Sequence, residues 1–189
     1  NEIVVKDMFT TLQAGKALDA PRVQEAVTSM TDSVVRNPDA MLLLSMLKKK
    51  SDLSHDRAVG VSIYMITFGR FLQLPREQLD LLGMLGLLQD IGKVRLPAGL
   101  LEKKGPLSEE ERKACRSHLD HSIAILKETA GLPAVLPARA ALHHERFVGS
   151  GFPELAPVVV AAFPKPRLKL LRISRSPHAQ IREVVQEEA

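Results

Sequence analysis

Prolines and polar cap residues cut this chain into short segments, and nearly every segment between them carries helical periodicity. Asp19 and Pro21 open a stretch running to about Arg36, and Asn37-Pro38 opens the next. Proline sits well in a first helical turn because its missing N–H has no helical partner there. From Ala58 to Leu72, Val59, Ile63, Ile66 and Phe71 roughly follow a helical period. Pro75 starts a further helix, on which Leu79, Leu82, Leu85 and Leu88 form an apolar stripe suited to a core. Ser108-x-x-Glu111 reads as a capping box for a helix through Lys127, stopped by Gly131 and Pro133. Two more helices are predicted over Pro133 to His144 and Pro177 to Glu188. Strand-like alternation is nearly absent, with Val158–Val160 the one β-branched run of note. The fold class predicted is all-α.

Composition narrows the setting. With 45% hydrophobic and 25% charged residues, the chain belongs with soluble globular proteins rather than disordered or membrane-spanning ones. The 189 residues suit one domain, or one domain with a small helical extension. Cys115 is the only cysteine, which excludes an internal disulfide and a cysteine-based zinc knuckle and fits a reduced, cytoplasmic setting. The apolar runs Met41–Leu47 and Val158–Phe163 are too short to span a bilayer, and no signal peptide is visible. Lys165, Arg167, Lys169, Arg172 and Arg175 form a basic run without an acidic residue among them. No stacking aromatics accompany it, so it reads as a solvated face, and nucleic acid is not expected as a partner.

The residues that could carry chemistry are grouped. His143 and His144 are adjacent, His118 and His121 lie one helical turn apart, and His55 and His178 stand alone. Asp90 and Lys93, three apart, would share a helix face. A carboxylate with several imidazoles is a mixed N/O donor set that suits Zn, Mn or Fe. The spacing leaves open a second possibility, a hydrogen-bonded polar cluster without metal. Cys115 reads as packing, and His121 and His178 as surface residues.

Four blocks carry a family resemblance. Leu88-Gln89-Asp90-Ile91-Gly92-Lys93-Val94-Arg95-Leu96-Pro97 resembles the "LHDIGKV-x-P" segment of HD-GYP domains. Leu101 to Ser108 is similar to that family's "L-x-K-x-G-x-L-T/S" stretch, and His118 falls where the family places a helix-borne histidine. His143-His144-Glu145-Arg146, continuing to Gly151-Phe152-Pro153, resembles "HHERxDGxGYP". Order and spacing agree over roughly Ala58 to Pro153. The resemblance implies an extended HD-type helical bundle over residues 51–189, with residues 1–50 as an N-terminal helical segment, either linker or small bundle. It also implies bacterial cyclic di-GMP signalling, because active members are metal-dependent phosphodiesterases that open cyclic di-GMP to pGpG or GMP.

Transferred residue by residue, the resemblance implies metal ligands at Asp90, His118, His143 and His144. It implies catalytic roles for Asp90 and Lys93, and substrate contacts from Lys93, Arg146, Gly151 and Pro153. It also exposes departures. Gln89 replaces the histidine of the HD pair, and its amide is a poor transition-metal ligand. Arg57 stands at the early histidine position, where a fixed positive charge would repel a metal or pair with Asp90. His55, two residues away, would point elsewhere on a helix. No aspartate follows Asp120, so the family's late aspartate ligand is missing, and Val148 replaces a loop aspartate.

The expectation is therefore an incomplete site holding no metal or one divalent ion, without a two-metal centre. Such a domain would be non-catalytic or weakly active. It would act by binding cyclic di-GMP or by contacts with other signalling domains or a second copy of itself. The alternatives are an active cyclic di-GMP phosphodiesterase and a hydrolase of another phosphorylated nucleotide.

Overall fold

The computed structural model describes residues 2–47, 54–146 and 151–152. Among them the regular elements are helices: α1 (Glu2–Gln13), α2 (Ala20–Arg36), α3 (Pro38–Leu47), α4 (Ser54–Phe71) and α5 (Arg76–Leu88), then a 3-10 turn over Ile91–Arg95, and α6 (Glu109–Arg116), α7 (His118–Glu128) and α8 (Leu136–Ala140). The all-α class is as the sequence predicts.

The helix starts follow from their caps. Asp19 Oδ1 accepts the Arg22 N–H at 3.2 Å, and Asn37 Oδ1 accepts the Ala40 N–H at 3.0 Å. At α6 both halves of the capping box are made: Ser108 Oγ accepts from the Glu111 N–H, and Glu111 Oε2 accepts from the Ser108 N–H at 2.8 Å.

Three expectations change in detail. The helix predicted from Ser108 to Lys127 is broken at Ser117, whose hydroxyl donates to the Ala114 carbonyl at 2.7 Å while its ψ opens to −13°. The segment from Pro133 to His144 is helical only over Leu136–Ala140. Beyond it the chain tightens into three-residue turns, with the Leu142 N–H on Arg139 O and the Glu145 N–H on Leu142 O. Phe71 is 74% exposed rather than part of the core face, because it lies five residues after Ile66, off the inward stripe of α4. The helix predicted over Pro177 to Glu188, Val158–Val160, the basic run, His178 and Pro153 lie outside the described residues.

One hydrophobic cluster joins these helices. Val5 of α1 and Val23, Val27, Met30 and Val34 of α2 are buried together with Ile66, Leu87, Leu88, Ile91 and Leu136. The helices before residue 50 thus contribute to the same cluster as those after it. At its centre α4 and α5 touch backbone to backbone. A Cβ on Gly86 would lie 2.7 Å from Ser62 Cα, so only glycine fits this crossing. Ser62, itself fully buried, donates its hydroxyl to Gly83 O at 2.8 Å across the same contact. Leu79 and Leu88 of the predicted stripe are buried, and Leu82 and Leu85 are half-buried. No helix among the described residues is long and apolar enough to cross a membrane.

Candidate metal centre

The site begins where α5 ends. Gln89 closes the helix, and Asp90, at φ −101° and ψ 9°, turns the chain into the 3-10 segment. Ile91 anchors that turn in the core with no exposed surface. Gly92 then lies flat on the first turn of α7: a Cβ there would sit 2.1 Å from His118 O and 2.3 Å from Ser122 N. Its N–H donates to the buried Ser122 hydroxyl at 2.8 Å. This contact clamps the Asp90 turn against the helix that carries His118. Replacing Ser122 with alanine leaves a buried N–H without a partner. It should cost about 1–3 kcal/mol in urea unfolding.

Four side chains, those of Asp90, His118, His143 and His144, converge from three parts of the chain. Asp90 Oδ1 is 3.3 Å from His118 Nε2 and 3.4 Å from His143 Nε2, and His118 Nε2 is 3.2 Å from His144 Nε2. One donor atom from each of Asp90, His118, His143 and His144 lies within 4.8 Å of all the others. His118 and His143 are nearly buried, and Asp90 is about one-third exposed.

The proton positions on two of the rings follow from their second nitrogens. His118 Nδ1 lies 2.6 Å from Cys115 O, and His143 Nδ1 lies 2.7 Å from Ala140 O. A carbonyl oxygen only accepts, so each Nδ1 carries the proton and, in the neutral ring, Nε2 presents a lone pair toward Asp90. Burial lowers the His118 pKa, and burial together with the neighbouring His143 and His118 lowers that of His144. Burial alone would raise the Asp90 pKa, but His143 in its protonated form and the Lys93 ammonium outweigh it and hold the carboxyl well below its usual range. Asp90 Oδ1 and His143 Nε2 are buried without a hydrogen-bond partner among the described residues. Anionic oxygen and imidazole lone pairs facing one another fit a divalent cation, and this N₃O donor set suits zinc, manganese or iron.

These shifts share one sign. The unfolded chain binds protons to these histidines before the folded chain does. Stability is therefore full above the unfolded histidine pKa of about 6.5 and declines as pH falls below it. Urea midpoints of the ion-free protein should drop between pH 7.5 and pH 5.5, and the drop should shrink in His118→Gln.

The centre opens onto a cleft of about 450 Å³ lined by Lys93, Leu101, Cys115, Arg116, His118, His144, Arg146, Gly151 and Phe152. Three of these lining residues, Lys93, Arg116 and Arg146, are cations. Arg116 lies over the Phe152 ring at 5.2 Å. Phe152 is held by its N–H on His144 O at 3.1 Å, and Glu145 Oε1 accepts from the N–H groups of Arg146 and Gly151 at 2.7 and 2.6 Å. That carboxylate draws the two ends of the intervening segment together.

The structure brings together Asp90, Lys93, His118, His143, His144, Arg146 and Gly151. Arg57 does not join them. The inward face of α4 is taken by Ala58, Val59, Ser62 and Ile63, which leaves Arg57 exposed, without an ion pair among the described residues. The cation on Asp90 is instead Lys93, whose Nζ lies 2.9 Å from Oδ2. His55 stays outside the group, 3.4 Å from Asp56 on its own helix and near the Phe9 ring. His121 is half-buried rather than on the surface, since its Cβ packs against Gly92. Cys115 lines the cleft besides supplying the carbonyl that orients His118. Sequence reasoning missed Arg116 and Ser122. The pair His118 and Ser122, four apart on one helix face, was the available signal for the second.

Comparison with known proteins points the same way. A family profile described as "HD domain" matches residues 41–156, more than half of the chain. The chain is 33% identical over 149 residues to a cyclic di-GMP phosphodiesterase of Pseudomonas aeruginosa, covering 79% of this chain and 36% of that protein. It is 31% identical over 94 residues to a 3'3'-cGAMP-specific phosphodiesterase of Vibrio cholerae, covering 49% of this chain and 18% of that one. A cyclic di-GMP phosphodiesterase response regulator of Xanthomonas campestris is 33% identical over 84 residues, 44% of this chain and 22% of the relative. The chain thus spans little more than a third of these relatives' length at most.

Proposed function

The chain belongs to the HD-domain family, and on that basis we propose that it is a cyclic di-GMP signalling domain that binds the nucleotide and at most one divalent ion, with weak or no hydrolysis. The observation that carries this reading is the convergence of one carboxylate and three imidazoles at the end of a cation-lined cleft. The ligand class draws support from relatives named as phosphodiesterases of cyclic dinucleotides.

Lys93, Arg116 and Arg146 supply the charge that recognises a phosphodiester, with the guanidinium groups able to fork onto two oxygens. Phe152 and Leu101 supply apolar surface for a base. Asp90, His118, His143 and His144 would hold the ion, which supplies Lewis acidity toward a phosphate oxygen. His118 and His143 are already oriented for that role by the carbonyls of Cys115 and Ala140.

Efficient hydrolysis by clustered ions calls for carboxylate or imidazole donors enough to clamp more than one. Here one carboxylate serves the group, and Gln89, beside it, offers a neutral amide. The domain would then act through occupancy, passing nucleotide binding to a signalling partner or a second copy. The test is equilibrium binding of cyclic di-GMP alongside its turnover. Binding weakened about tenfold by Arg146→Ala, with turnover near background, supports the reading. Absence of binding refutes it, and rapid turnover favours a working phosphodiesterase.

A further inference from the structure

We propose that Lys93 is a displaceable counter-ion for Asp90. Its ammonium serves the carboxylate in the ion-free chain and moves to a phosphate when the ion binds, so ion and nucleotide each tighten the other's binding. This rests on reading Asp90, His118, His143 and His144 as an ion site.

The two oxygens of Asp90 are divided between partners. Oδ1 faces His118 and His143, while Oδ2 faces Lys93 Nζ at 2.9 Å. The pairing is built into the local fold, because a 3-10 turn has three residues per turn and so stacks positions 90 and 93 over one another. The pair is half-buried, with 24% of the lysine and 35% of the aspartate side chain exposed, so it is screened less than a surface pair.

A divalent ion on Oδ1 and the imidazoles would place two positive charges beside that ammonium. The lysine stem is long and flexible, and Lys93 lines the cleft shared with Arg116 and Arg146. The ammonium therefore has somewhere to go, provided an anion is there to receive it. Arg116 lies over the Phe152 ring and Arg146 is exposed, and among the described residues neither is paired with Asp90, so neither offers the same exchange. Coupling of this kind is reciprocal by linkage.

The experiment titrates Mn²⁺ into the full chain, reading free ion by electron paramagnetic resonance, with and without cyclic di-GMP. Without nucleotide, Lys93→Met should bind Mn²⁺ about five- to tenfold more tightly than wild type, since the competing charge is gone, and Lys93→Arg should match wild type. Cyclic di-GMP should tighten Mn²⁺ binding to wild type several-fold more than to Lys93→Met, in which direct contact between ion and phosphate alone remains. Lys93→Gln gives the same reading if the methionine variant does not fold. Equal or weaker Mn²⁺ binding by the neutral variants would overturn the proposal. So would nucleotide coupling that persists in them undiminished, which would assign it to direct contact between ion and phosphate. If no protein binds Mn²⁺, the ion-site reading itself falls, and the proposal with it.

Discussion

Gly92→Ala is expected to destabilise the fold by ~3 kcal/mol and to abolish divalent-ion binding in whatever fraction still folds. The added methyl would meet His118 O and Ser122 N, which are backbone atoms of a helix and cannot rotate away. To relieve the overlap the Asp90 turn must lift from α7. The same movement breaks the Gly92 N–H bond to Ser122 Oγ and separates Asp90 from His118. Two readouts check this: the urea unfolding midpoint, and ion binding measured below the unfolding transition. Because the clamp is shared by fold and site, the two losses should appear together.

Asp90→Ala should have the opposite balance, sparing the fold and removing the ion. Loss of a partner that merely orients a ligand lowers metal affinity 10- to 100-fold. Removing the one carboxylate of the group should cost about 100-fold or more by the same measure. Stability should change little at neutral pH, since loss of the Lys93 pair is offset by removing a partly buried carboxylate that faces two imidazole lone pairs, and the lysine can turn to solvent. Ion titration of Asp90→Ala beside Lys93→Met is especially informative. The two substitutions break the same ion pair and should move ion affinity in opposite directions.

Most of the helical framework was legible in the sequence, because caps, prolines and apolar periods act locally. Asp19, Asn37 and the Ser108–Glu111 pair each fix a helix start within a few residues. What local signals could not reveal was set by contacts between segments. The break at Ser117 and the shortening of α8 both come from tight turns that aim His118, His143 and His144 at one point. Phe71 looked like core by rough period, but a five-residue step from Ile66 carries it to the outside.

The site was legible at the level of motif, as Asp90, Lys93 and the three histidines are drawn together. The expected effect of Arg57 was not, since a residue's charge says nothing about which side of α4 it faces. With Arg57 exposed, the proposal of an incomplete site rests on Gln89 and on the absence of any aspartate after Asp120 in the sequence. Arg116 went unnoticed because its role depends on Phe152, 36 positions away in sequence, coming to lie beneath it.

Metal analysis of the purified chain after incubation with Mn²⁺ or Fe²⁺, combined with cyclic di-GMP turnover on the same sample, tests the central claim most directly. The expected result is at most one ion per chain, lost in Asp90→Ala, with cyclic di-GMP bound but turned over slowly or not at all. Two or more tightly held ions per chain, with rapid turnover that Asp90→Ala abolishes, would contradict it.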